Sequence, residues 1–159
     1  MLLMALMLVL FAALLVSYFS MICRDTLRRK FDRELSQAIA DANQLGFPSI
    51  RKSVEESAKP IDYPQVRRTL YCDFLTLTYL LKNAANFNQR YSTEERLLIV
   101  YFHLAYLYLN ISQSIHLQEV PAILRLTAVL QYLANVVGQR IHALRASDLT
   151  TADFLFGTQ

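Results

Sequence analysis

The sequence predicts an all-α protein, with one N-terminal transmembrane helix followed by a small bundle of three long helices and one or two shorter ones. The first 23 residues are apolar except for Ser17 and Ser20. Only 3 glycines and 4 prolines occur in 159 residues, which disfavours the many tight turns of β structure. Three later segments repeat apolar residues at three- and four-residue steps, which is the period of an amphipathic helix.

The apolar run at residues 1–23 is long enough to cross a membrane, because a helix needs about 20 such residues to span the hydrocarbon. A cleaved signal peptide normally has a basic start, a shorter apolar stretch and small residues at its cleavage site. This run has an uncharged start and ends in Tyr18-Phe19-Ser20-Met21-Ile22. The run therefore predicts a transmembrane helix that stays on the protein.

Basic residues cluster directly behind this run. They are Arg24, Arg28, Arg29, Lys30 and Arg33, with only Asp25 and Asp32 as acidic residues among them. Cytoplasmic flanks of membrane spans carry such an excess, so we expect the N-terminus outside and the C-terminal domain in the cytoplasm, at an inner or plasma membrane. The excess equals the formal net charge of +3 of the whole chain, so the remaining residues have no net basic excess. The patch therefore predicts contact with anionic lipid rather than with nucleic acid.

Between the span and the core, the sequence predicts two smaller units. Residues 24–45 form an amphipathic helix with one apolar stripe, which either leaves the membrane as a stalk or lies on its surface. The stripe contains Leu27, Phe31, Leu35, Ala38, Ile39, Ala42 and Leu45. Residues 46–64 hold a short exposed helix at 49–59 and an extended linker through Pro60 and Pro64, because proline pushes the preceding residue out of the helical region.

Three long helices make up the predicted bundle at residues 65–146, and a C-terminal tail follows at 147–159. The first, at about 65–86, has a main stripe that Tyr71, Leu75 and Tyr79 widen; the stripe consists of Val66, Leu70, Phe74, Leu77, Leu81 and Ala84. The third opens at Pro121 and has two stripes. These are Ile123, Leu126, Leu130, Leu133, Val137, Ile141 and Leu144, and then Leu124, Val129, Tyr132 and Val136.

The second long helix, at 93–115, is apolar on every side. A capping box marks its start, in which the Ser92 hydroxyl accepts from the Glu95 amide and the Glu95 side chain returns to Ser92. After its first four residues the helix carries no charge at neutral pH. Such a helix needs cover all round, so it is either the centre of the bundle or part of a second membrane hairpin at 97–138. The hairpin would bring Arg125 toward the bilayer middle at a cost of at least ~2.5 kcal/mol, so we expect the soluble core.

The sequence predicts no cofactor and no metal site. The 3 glycines are too scattered for a phosphate-binding loop. His116 and Glu119 have the spacing of half a di-metal site, but no second pair exists on a facing helix. His103, which stands among aromatic residues, is expected to be a hydrogen-bonded core histidine, with a small-molecule pocket as the alternative. We expect Cys23 and Cys72 to be structural.

These features predict a single-pass, non-catalytic accessory or scaffolding subunit of a larger membrane complex, whose partners are other subunits and anionic lipid. The candidates for partner contact are Tyr101, Leu104, Tyr108, Phe154 and Phe156. Asp73 and Arg125 lie at similar heights on parallel helices, so we expect them to form a buried ion pair. Two alternatives stay open: an anchored sensor or enzyme with a Tyr-rich pocket around His103, and an anchored binder of anionic lipid or nucleic acid through residues 24–33.

Overall fold

The computed structural model describes residues 1–29, 31, 33–56, 62–83, 91–115 and 120–156, with side chains for all of these except residues 2, 112–115 and 145–156. The described residues form six helices and no strand, which confirms the predicted fold class. In chain order the helices are α1 (Leu2–Leu27), α2 (Ser36–Ala42), α3 (Phe47–Glu55), α4 (Tyr63–Asn83), α5 (Thr93–Ile115) and α6 (Val120–Phe156).

Helix α6 is the centre of the bundle, since α2, α3, α4 and α5 all pack against it. Five residues of its predicted main stripe have no exposed surface: Ile123, Leu126, Leu130, Leu133 and Val137. In the second stripe Val129 is also fully buried, and Tyr132 is 8% exposed. The two stripes therefore act together as one wide buried face, which is what a helix with neighbours on several sides needs.

Helix α5 is not the centre that its composition predicted. Leu98, Phe102 and Leu109 are buried on its inner side, whereas Val100 and Leu104 on the opposite side are 51% and 46% exposed. Hydropathy alone could not separate α5 from α6. Helix α6 buries polar residues that bond within the bundle, while α5 keeps an apolar side that the described residues leave uncovered.

The single helix predicted at 24–45 is two helices with a turn between them. Helix α1 ends at Leu27 and α2 begins at Ser36. In the turn the ring of Phe31 packs edge-on against Tyr132 of α6, with centroids 5.0 Å apart. Leu27, Phe31, Ile39 and Leu45 of the predicted stripe pack against the core. Ala38 and Ala42 of the same stripe are exposed.

A polar contact and a close packing contact hold this segment on α6. The backbone amides of Leu35 and Ser36 both donate to Oδ1 of Asn135, each at 2.7 Å. Asn135 thus caps α2, which has no side-chain cap of its own. Gly138 permits the close approach, because a Cβ at that position would lie 2.6 Å from the Cβ of Leu35.

Helix α3 packs against α6 and α4, although residues 49–59 were expected to form an exposed helix. Phe47 and Val54 supply its buried side, with 3% and 6% exposed surface. The prediction was wrong because Phe47 precedes the predicted start, and residues 49–59 alone contain too few apolar residues to bury a face.

Asp73 of α4 caps α3 and does not pair with Arg125. Its Oδ2 atom accepts a hydrogen bond from the Phe47 amide at 2.7 Å. Burial raises the pKa of Asp73, while the hydrogen bonds from the Gly46 and Phe47 amides lower it. Arg125 is exposed on α6, and none of the ion pairs among the described residues joins it to Asp73. The predicted pair is therefore wrong, because the N-terminus of α3 meets the carboxylate instead.

The capping box at the start of α5 is confirmed. The Ser92 hydroxyl accepts from the Glu95 amide at 3.2 Å, and Glu95 Oε2 accepts from the Ser92 amide at 2.9 Å. Glu95 Oε1 also accepts from Nη2 of Arg140 at 2.5 Å, in a largely buried ion pair. Arg140 Nη1 donates to the Leu81 carbonyl at 3.3 Å. One buried charge pair thus joins α4, α5 and α6 at this end of the bundle.

The outer boundaries differ from the predicted ones at both ends of the bundle. Helix α4 begins at Tyr63 with Pro64 in its first turn, where proline is tolerated. Helix α6 continues to Phe156, through most of the expected tail at 147–159. Of the linker expected at residues 59–64, residues 59–61 lie outside the described residues, and Tyr63 and Pro64 belong to α4.

Candidate membrane anchor and docking face

Most of helix α1 is uncovered by the rest of the described chain. Every residue from Leu3 to Tyr18 is exposed. The helix has 26 residues, and at 1.5 Å per residue it extends about 39 Å, more than the ~30 Å of bilayer hydrocarbon. The Ser17 hydroxyl donates to the Ala13 carbonyl at 2.8 Å, so this polar group bonds within the helix. An apolar helix whose Ser17 hydroxyl bonds to its own backbone suits lipid, where no water is present to bond that group.

Only the C-terminal end of α1 packs on the bundle, where it runs antiparallel to α5. The rings of Phe19 and Tyr101 lie 6.3 Å apart, and Cys23 is 1% exposed. Farther along, Arg29 Nη1 lies 2.6 Å from Glu94 Oε1. Because Phe19 precedes Arg29 while Tyr101 follows Glu94, the two segments run in opposite directions.

Glu94 also ties this junction to α6. Its Oε2 atom accepts a hydrogen bond from the Tyr132 hydroxyl at 3.3 Å. Burial, the charge of Glu94 and this hydrogen bond raise the pKa of Tyr132 to about 12, while the charge of Arg29 lowers it. The phenol therefore stays a donor at neutral pH, and one carboxylate joins the exit of α1 to both α5 and α6.

The structure divides the basic patch predicted behind the span. Arg24 and Arg28 are exposed and line a shallow cleft at the end of α1. Arg29 is paired across the junction, and Arg33 lies 3.4 Å from a histidine ring nitrogen of α6. Lys30 lies outside the described residues. Within the part of the patch that is described, Arg24 and Arg28 are the residues that present charge beside α1.

The predicted partner residues divide in a similar way. Leu104 and Tyr108 are each 46% exposed. Tyr101 is only 5% exposed, and its hydroxyl is the one buried side-chain polar atom without a hydrogen-bond partner in the described part of the chain. Phe154 and Phe156 belong to α6, in a stretch whose side chains lie outside the description. Leu104 and Tyr108 are therefore the two candidates that a partner could reach.

A larger apolar surface covers the sides of α4 and α5 that point away from α6. Phe74 stacks on Phe102 at 3.9 Å and Tyr71 lies 5.3 Å from Tyr106, so rings join the two helices. Both helices also pack on α6, so each has an exposed apolar side that points away from α6. We call this surface the outer face. It consists of Tyr71, Leu75, Tyr79, Val100, Leu104, Leu107, Tyr108 and Ile111, which are 38% to 68% exposed.

Basic residues lie on the same stripes as the outer face. Arg68 and Lys82 are exposed, and each is seven residues from Leu75, which places all three on one side of α4. Arg96 is exposed four residues before Val100, on the outer side of α5. The periodicity of α4 predicted that Tyr71, Leu75 and Tyr79 widen the buried stripe. The seven-residue spacing of the two cations around Leu75 was the signal that marks it as exposed.

The carboxylates of α4 and α5 are all engaged. Asp73 and Glu95 are 5% and 4% exposed, and they form the cap and the buried ion pair described above. Glu94 is paired with Arg29. The outer face thus has basic residues at its margins, and within α4 and α5 no exposed carboxylate is left unpaired to balance them.

His103 is not the core histidine that the sequence predicted. It is exposed, its Nδ1 lies 2.8 Å from the Ile99 carbonyl, and its ring meets Phe74 edge-on at 5.2 Å. The pocket alternative gains no support from this exposed position. Among the described residues, no group of three or more His, Cys, Asp and Glu could hold a metal ion. His116 and Glu119 lie outside that part of the chain.

Two helices of the described chain are long and apolar enough to cross a membrane, α1 over Leu3–Leu27 and α6 over Val120–Leu144. The most apolar window of α1 is 6% buried and that of α6 is 61% buried. Comparison with protein-family models, curated proteins and solved structures finds no match. The fold and site therefore define a class: an all-helical protein with a bare apolar helix of membrane-spanning length and an apolar, basic-rimmed outer face.

Proposed function

We propose that this protein is a single-pass, non-catalytic accessory or scaffolding subunit of a larger membrane complex. In this proposal α1 spans an inner or plasma membrane with its N-terminus outside, and the bundle lies on the cytoplasmic side. The observation that carries the proposal is the bare length of α1. Sixteen consecutive residues, from Leu3 to Tyr18, are exposed in the most apolar part of the sequence. Lipid is the solvent that such a helix requires.

The mechanism is positional. In lipid, helices associate through close packing, so α1 would dock against spans of partner subunits. Leu104 and Tyr108 follow Tyr101 on α5, and Tyr101 is the residue that meets α1. A partner that packs on α1 would therefore reach these two side chains, and tyrosine is a favoured anchor in protein interfaces. The Arg29–Glu94 pair would fix the direction in which the bundle leaves the membrane.

The charge behind the span supports the orientation. Arg24 and Arg28 remain exposed at the end of α1, and cytoplasmic flanks of spans are enriched in such residues. A reporter that is active only outside the cytoplasm, fused after Gln159, should therefore stay silent. Activity of this reporter would overturn the orientation.

Extraction of native membranes tests the anchor itself. The full chain should stay in the membrane fraction in alkaline carbonate. The double variant Leu6→Asp and Leu10→Asp should leave it, because each charge in the middle of a span costs about 2.5–3.5 kcal/mol. Ser53→Asp on the exposed side of α3 is the matched control and should behave as the wild type does. Carbonate release of the wild-type chain would contradict the anchor.

Crosslinking tests the role as a subunit. Single cysteines at Leu104 and Tyr108 are introduced into a Cys72→Ser chain, since Cys72 is exposed whereas Cys23 is buried. Crosslinks in native membranes should join these positions to a different membrane protein, and a cysteine at Ser53 should give none. Crosslinks that remain within one chain would refute partner contact at this site.

A further inference from the structure

We propose that a cavity between the end of α1, α3 and α6 binds a zwitterionic phosphate ester, in which a short carbon chain joins a phosphate to an ammonium group. This inference goes beyond the proposed function, because it concerns a small ligand and not a partner subunit. The cavity has a volume of about 380 Å³, within the ~300–1,000 Å³ that is usual for small-molecule sites. We call it the junction cavity. Four of its lining residues have side chains that can bond to a ligand: Arg29, Glu34, Arg51 and Asn135.

A buried amide donor opens into the junction cavity. Asn135 is 4% exposed, and its Oδ1 atom accepts from the backbone amides of Leu35 and Ser36. Its Nδ2 atom donates to no acceptor in the described part of the chain. In that part the Tyr101 hydroxyl is the one side-chain polar atom that is both sealed and unpartnered, so Nδ2 is not sealed and meets the cavity that Asn135 lines. A ligand that presents an oxygen here satisfies a donor that the fold leaves unused.

Two guanidinium groups add further donors beside this amide. Arg29 bonds to Glu94 through Nη1. Arg51 bonds to Glu55 through Nε and to Gln131 through Nη1. Nη2 of each arginine makes no hydrogen bond to the described residues, so both side chains keep N–H groups for a ligand. Donors from three separate residues favour phosphate over carboxylate, because a phosphate carries more oxygens in a tetrahedral arrangement and arginine binds phosphate well.

A carboxylate in the same lining selects for a positive group on the ligand. Glu34 is exposed, and its Oε1 atom accepts from Nε2 of Gln131 at 2.7 Å, while Oε2 makes no hydrogen bond to the described residues. Glu94 and Glu55 already offset the charges of the two arginines, so a purely anionic ligand would be repelled by Glu34. An ammonium group beside the phosphate removes this repulsion and pairs with Oε2. The carbon chain between the two charges would lie against the apolar part of the lining, formed by Leu27, Phe31 and Ala128.

Two sources can supply this ligand chemistry. Leu27 follows the predicted span at 1–23 by four residues, which is about 6 Å along a helix. The headgroup layer on each side of the hydrocarbon is about 5–7 Å thick, so the headgroup of an ethanolamine phospholipid can reach the cavity when α1 spans a bilayer. A soluble aminoalkyl phosphate can reach it whether or not α1 spans. Only the lipid source therefore rests on the proposed anchor.

Titration calorimetry of the full chain in a maltoside detergent tests the soluble source. Phosphoethanolamine should bind saturably, and ethyl phosphate, which lacks the ammonium group, should bind about fivefold more weakly. Glu34→Gln should lower the affinity for phosphoethanolamine about fivefold without lowering that for ethyl phosphate, because the lost charge attracts ammonium and repels phosphate. Equal binding of the two compounds by the wild type would overturn the zwitterionic assignment.

Native mass spectrometry of the same chain tests the lipid source. Phosphatidylethanolamine should be retained in preference to phosphatidylglycerol, and Glu34→Gln should abolish the preference. Either this preference or saturable binding of phosphoethanolamine supports the proposal and identifies the source. Absence of both would overturn it, while carbonate extraction decides the anchor independently and would leave the proposed function standing.

Substitutions in the lining separate ligand binding from the fold. Asn135→Asp keeps an oxygen that caps α2 but replaces the donor with a carboxylate, so affinity should fall at least about tenfold while hydrogen exchange at Leu35 and Ser36 stays slow. Arg51→Gln removes a half-buried cation and should lower affinity about tenfold. Lys52→Gln, at the exposed neighbour that does not line the junction cavity, is the matched control and should bind as the wild type does. Arg51→Gln decides the question even where Asn135→Asp does not fold, since unchanged affinity in Arg51→Gln would overturn the site.

Discussion

Helices α1 and α6 contain apolar windows of the same length that have opposite surroundings. Each holds a 25-residue segment apolar enough to cross a membrane, and the most apolar 18-residue window has a mean hydropathy of 2.5 in α1 and 1.5 in α6. The α1 window is 6% buried, whereas the α6 window is 61% buried beneath the helices that pack on it. Length and hydropathy therefore identify helices that must leave water, but they do not decide whether lipid or protein replaces it.

The polar groups of the two helices reveal the difference. In α1 the Ser17 hydroxyl bonds to a carbonyl of its own helix. In α6 the side chains of Asn135 and Arg140 bond to the backbone or side chains of other elements. A helix whose buried polar groups need partners from other helices depends on the bundle, while a helix that satisfies its own polar groups can stand alone in lipid.

The largest expected effect contrasts Leu130 of α6 with Leu10 of α1. Leu130 has no exposed surface, so Leu130→Ala should lower the free energy of unfolding by about 4 kcal/mol, in the upper half of the range for buried leucines. Leu10 is 59% exposed, and Leu10→Ala should change it by less than about 0.5 kcal/mol. Urea unfolding of the full chain in mild detergent, followed by circular dichroism, measures both. Equal losses would mean that α1 belongs to the core.

The next effect concerns the buried charge pair of α6. Arg140→Met removes the partner of Glu95, whose side chain is 6% exposed, and should cost about 3 kcal/mol because a buried carboxylate is left uncompensated. Adding Glu95→Gln should restore part of this loss, since the neutral amide can still accept from the Ser92 amide. Lys52→Met, at an exposed pair with Glu56, is the control and should cost less than ~0.5 kcal/mol. A double variant no more stable than Arg140→Met would argue against the pair.

A smaller effect is expected at Asn135 of α6, whose side-chain oxygen caps α2. Asn135→Ala leaves two backbone amides without their acceptor and should cost about 2 kcal/mol. Hydrogen exchange at Leu35 and Ser36 should accelerate together, whereas the exposed control Gln37→Ala should leave both rates unchanged. Unaltered exchange in Asn135→Ala would show that α2 is held by apolar packing alone.

Local patterns in the sequence predicted which positions are buried and where α5 begins. The main stripe of α6 is covered as its period indicated, and the Ser92 and Glu95 capping box forms as its spacing indicated. The apolar run at the N-terminus likewise predicted a helix that the rest of the chain leaves bare. Each of these features depends on residues a few positions apart, so periodicity and capping rules are sufficient to find it.

Links between distant residues could not be predicted in this way. Asn135 caps a helix start 100 positions earlier at Leu35, which is why one predicted helix at 24–45 became two. The sequence predicted α5 as the centre of the bundle, whereas α6 lies there in the structure. Composition could not predict this, because it does not show how many other helices will pack against each helix. Of the predicted partner residues, Tyr101 is buried for the same reason: the end of α1 folds against it.

The smallest expected effect is on how stability depends on pH, and it concerns Asp73, which caps α3. It tests whether the buried group at this cap acts as a charged carboxylate or as a neutral polar group. Asp73→Asn keeps a carbonyl acceptor for the Phe47 amide but cannot titrate, so the difference in unfolding free energy between wild type and variant isolates the carboxylate. Burial is the largest cause acting on Asp73 and raises its pKa in the folded chain. The folded chain therefore binds this proton more tightly than the unfolded chain, whose carboxyl has a pKa of about 3.9. Stability from Asp73 is thus fully present below that value and is lost as pH rises through the folded pKa.

Relative to Asp73→Asn, the wild type should lose stability between acidic and neutral pH, while the exposed control Asp41→Asn should show no such trend. A wild type that gains on Asp73→Asn as pH rises would show that the amides of Gly46 and Phe47 outweigh burial.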